Sequence, residues 1–248
     1  MVRKLLEHQL VSLVFPARCC SCDRLLSDAD ELRAGRLADF CQSCLEQFSD
    51  PQSPSCPKCG VQGKLKVGAD DCALCRRPEL CFVRGVAVGN YRGILKQQVL
   101  RMKREGNEIL AFQFGRLLGE ALLNNNLHDV DTIVPVPTHW WRRFKTGFHA
   151  ADIICDGIRQ KTGFKKNNRL LRYTRRTSKQ GKLTTPQRFA NLDGALRIGR
   201  GCVKGKTVLV VDDVMTSGAT AAQATRTLLA AGANRVYMAV TARGAGLS

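Results

Sequence analysis

The chain has 248 residues, 44% of them hydrophobic, so it is an ordinary globular protein with length for one large or two modest domains. Its formal net charge of +18 marks either a taste for polyanionic partners or a strong solubility bias. No run approaches the ~20 apolar residues that a membrane-spanning helix needs, which excludes such a span and sets the expectation of a cytoplasmic protein.

Residues 1–15 begin basic and turn apolar, but Glu7, His8 and Gln9 interrupt the run and no small-residue cleavage site precedes Pro16. Leu5, Leu6, Gln9, Leu10, Leu13 and Val14 share one helical face, so an amphipathic docking helix is expected in place of a signal peptide. Four Cys-x-x-Cys knuckles follow: Cys19/Cys22, Cys41/Cys44, Cys56/Cys59 and Cys72/Cys75. Two thiolates at this spacing supply half a tetrahedral zinc site, so four knuckles imply two structural zincs. A disulfide framework is disfavoured by the expected compartment, and a redox Cys-x-x-Cys normally stands alone. Sequential pairing closes shorter loops than a cross-braced arrangement and is preferred. Cys20 could substitute in the first site, while Cys81, Cys155 and Cys202 are expected to be buried thiols.

From Phe82 the texture changes, which places a boundary between a Cys-rich module at 1–80 and a second domain at 81–248. Strands are expected at 82–91, 131–136, near Leu170-Leu171 and at 235–241. Helices are expected at 95–104, 108–124 and from about Phe148 to Gln160. This alternation predicts an α/β fold with a parallel sheet, whose ligands bind at the carboxyl ends of the strands. Between Arg142 and Arg188 fourteen Lys/Arg face only Asp152 and Asp156, a net +12 that predicts one positive face. Residues 173–190 are polar, basic and aperiodic, with Gly181 and Pro186, and are expected to form a long mobile loop. Trp141, Phe144 and Tyr173 are the aromatics expected to be exposed.

The stretch Thr207–Thr220 is the most informative. Val208–Val211 has the composition of a strand buried on both faces, and Asp212 and Asp213 stand at its end. Thr216, Ser217, Gly218, Ala219 and Thr220 follow, and a helix is expected from Ala219 until Gly232 stops it. Loop amides at a helix N-terminus hold phosphate, and adjacent carboxylates suit two ribose hydroxyls or a hydrated Mg²⁺. The competing reading is an ordinary strand-turn-helix with a solvated acidic turn. A Walker loop is excluded, since no Gly-Lys-Ser/Thr ends the stretch.

This stretch resembles the phosphoribosyl-pyrophosphate signature of type I phosphoribosyltransferases. With the knuckles, Phe15-Pro16, Cys56-Pro-Lys-Cys-Gly60, Tyr91-Arg-Gly with Lys103, Pro135-Val-Pro137, Arg176-Thr177 and Arg188, the whole chain resembles the ComF family. One departure is Thr146-Gly-Phe-His-Ala150, where the family usually reads Arg-Gly-Phe-Asn-Gln. The resemblance implies a phosphoribosyltransferase-like domain behind a double zinc finger, and handling of incoming single-stranded DNA in competence or DNA utilization. It implies that Asp212, Asp213 and residues 216–220 bind phosphoribosyl pyrophosphate with Mg²⁺. Thr138, Arg142 and Arg143 would clamp pyrophosphate, and Arg175, Arg176 or Lys179 would close over it. Two other functions fit the same residues: an active phosphoribosyltransferase using a nucleobase-like acceptor, and a scaffold whose zinc module binds a helicase or recombination protein.

Overall fold

The computed structural model of the chain describes residues 17–26, 40–49, 52–63, 72–104, 107–137, 148–178, 181 and 183–244. The expected helix over 1–15 and the aromatics Trp141 and Phe144 lie outside them. The chain forms two compact units, Met1–Phe48 and Ser49–Ser248. The composition boundary at 80/81 is thus distinct from the break in compactness at 48/49.

In the first unit, the Cys19 knuckle is a tight turn closed by Arg18 bridging Leu25. Helix α1 (Gln42–Phe48) carries Cys44, and Phe40 packs edge-on against Phe48 with ring centroids 5.1 Å apart.

The second unit is built on a four-stranded sheet. Its strands are β1 (Arg84–Asn90), β2 (Thr132–Pro135), β5 (Thr207–Met215) and β6 (Arg235–Arg243). They lie in the order β1-β6-β5-β2 and every pairing is parallel, as the alternating pattern predicts. The two central strands are almost wholly buried, which is why Val208–Val211 and Val236–Val240 read as continuous apolar runs. Around the sheet lie α2 (Gly93–Met102), α3 (Glu108–Asn124), α4 (Ala150–Thr162) and α6 (Ala219–Ala230). Helices α3 and α4 cross at glycine. A Cβ on Gly157 would lie 2.1 Å from the Phe112 carbonyl oxygen, and one on Gly115 would lie 2.2 Å from that of Ile154. Among the described residues no helix is long and apolar enough to cross a membrane.

The segment 173–190 differs from the expected mobile loop. Helix α5 (Thr185–Leu192) starts inside it, with a capping box between Thr184 and Gln187. Pro186 opens this helix at its first turn, where a missing N–H costs nothing, so the residue that looked like a breaker is an initiator. Strands β3 (Leu171–Tyr173) and β4 (Leu196–Ile198) pair antiparallel as a separate ribbon flanking α5 in sequence. Tyr173 corrects another expectation: it is half-buried against the core that holds Leu192, Ala195 and Ala219.

Candidate functional site

Strand β5 runs further than its apolar stretch, so Asp212 and Asp213 stand within its last turn of pairing, opposite β6. The backbone N–H of Asp213 donates to the Asp212 carboxylate at 2.8 Å. Lys103, just past α2, pairs with Asp213 at 2.9 Å. Burial works against the Lys103 charge, but Asp213 and then Asp212 outweigh it and raise its pKa. Asp212 is less well compensated: burial first, then repulsion from Asp213, pushes its pKa from 3.8 to about 7. Beside the pair, Pro135 registers with Val211 and Val136 donates to the Val211 carbonyl at 2.8 Å, so the Pro135-Val-Pro137 turn borders the site.

Ser217, Gly218 and Ala219 are buried, and Thr216 and Thr220 are partly exposed. Gly218 caps α6 with φ 82°, a left-handed conformation that glycine adopts without strain. A Cβ there would also lie 2.7 Å from Leu80 Cδ2. The loop amides therefore face the start of a helix at the carboxyl end of a central strand, an arrangement that favours an anionic group. Arg188 on α5 donates to Thr216 Oγ1 at 3.1 Å, which joins the 173–190 segment to the loop. Arg175 donates to the carbonyls of Asn191 and Asp193, at 3.1 and 2.9 Å, and so closes the end of α5. Arg176 is exposed. Thr138, Arg142, Arg143 and Lys179 lie outside the described residues.

The Asp212 shift has a sign that can be checked. Its folded pKa exceeds the unfolded value, so between pH 3.8 and about 7 the native state holds more of this proton and stability falls as pH rises. Asp212→Asn is expected to melt above wild type at pH 8, by on the order of 2 kcal/mol, and level with it near pH 4. Scanning calorimetry at the two pH values checks this; an equal gain at both would show that the repulsion is not from an ionised Asp212.

Four exposed arginines gather on the ribbon. Arg172 on β3 and Arg197 on β4 are direct cross-strand partners on one face, both exposed, while Leu171 and Leu196 turn inward. Arg169 and Arg200 flank them, joined by the Arg200 N–H to the Arg169 carbonyl at 2.9 Å, and both are exposed. None of these four makes an ion pair with a carboxylate among the described residues. Like charges directly opposite one another destabilise a ribbon, which is relieved when an anion lies across them. Arg197 and Arg200 fall outside the basic run counted to Arg188, and only the pairing of β3 with β4 brings them to it.

The thiols of Cys19, Cys22, Cys41 and Cys44 form one group and those of Cys56, Cys59, Cys72 and Cys75 another, each with all sulfurs within 4.8 Å of one another. Pairing is sequential, and Cys20 takes no part. The Cys22–Cys41, Cys56–Cys75 and Cys59–Cys72 sulfurs are 3.7, 3.8 and 3.7 Å apart. Sulfurs at about 2.3 Å from one tetrahedral ion are roughly 3.8 Å from each other, so both donor sets fit structural zinc. The first knuckle of each group is the same turn. Asp23 and Gly60 occupy equivalent places after the second cysteine, with φ 60° and 71°. Of the leftover thiols only Cys155 is buried; Cys81 and Cys202 are exposed, contrary to expectation.

The second group is part of the sheet's own core, since Cys56, Cys59, Cys72 and Cys75 share one buried cluster with Leu80, Phe82, Val134, Val210 and Val240. A residue that the sequence reading missed lies next to it. Arg243, the last residue of β6, is fully buried and donates to the carbonyls of Met215, Thr216 and Gly244. A lone charged residue closing the apolar run Val236–Ala242 was its only signal.

The phosphoribosyl transferase domain family matches residues 151–246, from α4 to the end of the described sheet. The chain is 30% identical to DNA utilization protein YhgH of Salmonella typhi over 189 residues, which cover 74% of this chain and 81% of that protein. It is 25% identical to competence protein F of Haemophilus influenzae over 230 residues, covering 90% and 96% of the two chains. With competence protein ComFC of Bacillus subtilis it shares 25% identity over 223 residues, covering 86% and 89%.

Proposed function

The chain belongs to the ComF family of competence and DNA utilization proteins, and from that premise we propose that it handles incoming single-stranded DNA and binds phosphoribosyl pyrophosphate after β5. One observation carries the ligand assignment: the Asp212-Asp213 pair leads directly into a tight loop whose left-handed Gly218 opens α6. In this reading the amides and hydroxyls of Thr216, Ser217, Gly218, Ala219 and Thr220 hold the 5-phosphate. Asp212 and Asp213 face the ribose hydroxyls or a hydrated Mg²⁺, and Lys103 orients Asp213 through their ion pair. Thr138, Arg142 and Arg143 are assigned to the pyrophosphate, and Arg175, Arg176 and Lys179 to its cover. Ligand binding thus belongs to residues 81–248 and structural zinc to residues 1–80. The exposed arginines of the β3–β4 ribbon support the DNA assignment, because unpaired guanidinium groups in a row suit successive phosphates.

Two measurements test the reading. Calorimetry should find that phosphoribosyl pyrophosphate with Mg²⁺ binds wild type, and binds Asp212→Asn/Asp213→Asn about a hundredfold more weakly, a difference of about 2.7 kcal/mol. No heat with wild type would end the ligand assignment. Fluorescence anisotropy should show affinity for single-stranded DNA falling with salt, with a log–log slope of roughly 0.7 per neutralised phosphate. Arg169, Arg172, Arg197 and Arg200 changed together to Gln should flatten that slope by about 3, roughly 0.7 for each phosphate released. An unaltered slope would move the DNA to another face. The active-transferase reading uses the same loop and separates from ligand binding by release of pyrophosphate in the presence of nucleobases.

A further inference from the structure

Arg243 is a large cation with no exposure to solvent, and no carboxylate pairs with it among the described residues. Burying a guanidinium without a counter-charge costs several kcal/mol, so something must compensate it. On one side its Nη1 donates to three carbonyls at the foot of the ligand loop: Met215 at 2.7 Å, Gly244 at 2.8 Å, and Thr216. Among the described residues its buried Nε and Nη2 have no hydrogen-bond partner. On the other side is Cys59, whose side chain the Arg243 guanidinium meets.

The backbone explains why these parts meet. The Cys56 knuckle is seated on β1: the Cys59 Cα would lie 3.5 Å from a Cβ at Gly85, and a Cβ at Gly60 would lie 3.0 Å from Ala87 N. Gln62 and Asn90 exchange two hydrogen bonds, at 3.0 and 2.7 Å. Asn90 in turn registers with Arg243 across the β1–β6 pairing. The knuckle, β1, the end of β6 and the start of the ligand loop therefore converge on one side chain.

Four thiolates on one divalent zinc leave a net charge of −2 at the group Cys56, Cys59, Cys72 and Cys75. We infer that Arg243 is a positioning residue that couples this metal centre to the ligand loop, its guanidinium facing the tetrathiolate on one side and fixing the carbonyls of residues 215, 216 and 244 on the other. With the centre loaded, the buried cation is compensated and its forked geometry holds the loop's backbone in place. With the centre empty, the cation has only carbonyl dipoles, and the loop loses its anchor. The coupling does not depend on which anion the loop binds.

The test uses the full zinc-loaded chain and the variants Arg243→Met and Arg243→Lys. A colorimetric chelator should withdraw one zinc about tenfold faster from Arg243→Met than from wild type, as for other residues that orient metal ligands, and the other zinc at the wild-type rate. Amide exchange at residues 216–219 should accelerate in the same variant, with Arg243→Lys intermediate on both measures. In the cadmium-loaded chain one cadmium resonance should move and the other stay. If Arg243→Met does not fold, partial zinc withdrawal from wild type replaces it, and the amides of 216–219 should lose protection ahead of those of β5 and β6 as the second centre empties. Unchanged zinc release, or faster release with an unchanged loop, would overturn the inference. Failure of phosphoribosyl pyrophosphate to bind would not, since every readout is of the free protein.

Discussion

Cys59→Ser is expected to lose one zinc of two and to leave the unit from Ser49 onward largely unfolded. Structural zinc contributes on the order of 10 kcal/mol to small zinc modules, which rivals the whole stability of an ordinary domain. The loss is not confined to a peripheral finger, because Cys59 shares its buried cluster with Val134, Val210 and Val240 of the sheet. Cys41→Ser should also lose one zinc, yet leave the sheet unit's melting cooperative, since Cys41 groups with Cys19, Cys22 and Cys44 in the first unit. Metal analysis alongside circular-dichroism melting separates the two. Two zincs retained in Cys59→Ser, or a wild-type melt, would mean that the second group does not hold metal.

Gly157→Val should cost about 3 kcal/mol or more, the upper end for overpacking. The first atom of any side chain at this position meets the Phe112 carbonyl oxygen at 2.1 Å and the Arg116 N at 2.9 Å. Those are backbone atoms, so no rotamer change relieves the clash and α3 must move off α4. Helix α4 packs on β2 and β5, and the displacement reaches the strand that carries Asp212. Even Gly157→Ala should lower the urea midpoint clearly, whereas Gly163→Ala, with open space around it but φ 74°, should cost less. A Gly157→Val midpoint matching wild type would show that the two helices adjust freely.

Much of this architecture could be read before the fold was known, and the reasons are local. Val208–Val211 announced a doubly buried strand, the glycines at 218 and 232 bracketed α6, and cysteine spacing defined the four knuckles, with loop length favouring the sequential pairing that is found. Helix α3 was delimited as Glu108–Asn124 by an apolar stripe between polar ends. What escaped depends on distant partners or on context-dependent residues. Pro186 marks a helix start only because Thr184 caps it. Arg172 and Arg197 become neighbours only once β3 meets β4. A buried arginine such as Arg243 looks, in one dimension, like any charged residue at the exposed end of a strand. Gly115 and Gly157 read as weak points of helices until the two are brought face to face.

The strand order carries a consequence for synthesis on the ribosome. Among the described residues β1 pairs with β6 and β2 with β5, so before Thr207 is made β2 has only the single bridge of Ile133 to Lys166 and β1 has no sheet partner. Until β5 and β6 emerge, the nascent chain carries β1 and β2 without their sheet neighbours, while the cysteine knuckles and the β3–β4 ribbon can already close. A ribosome stalled before Thr207 would therefore leave a polypeptide with its local turns formed and β1 and β2 without their sheet neighbours, a species suited to capture by chaperones and proteases.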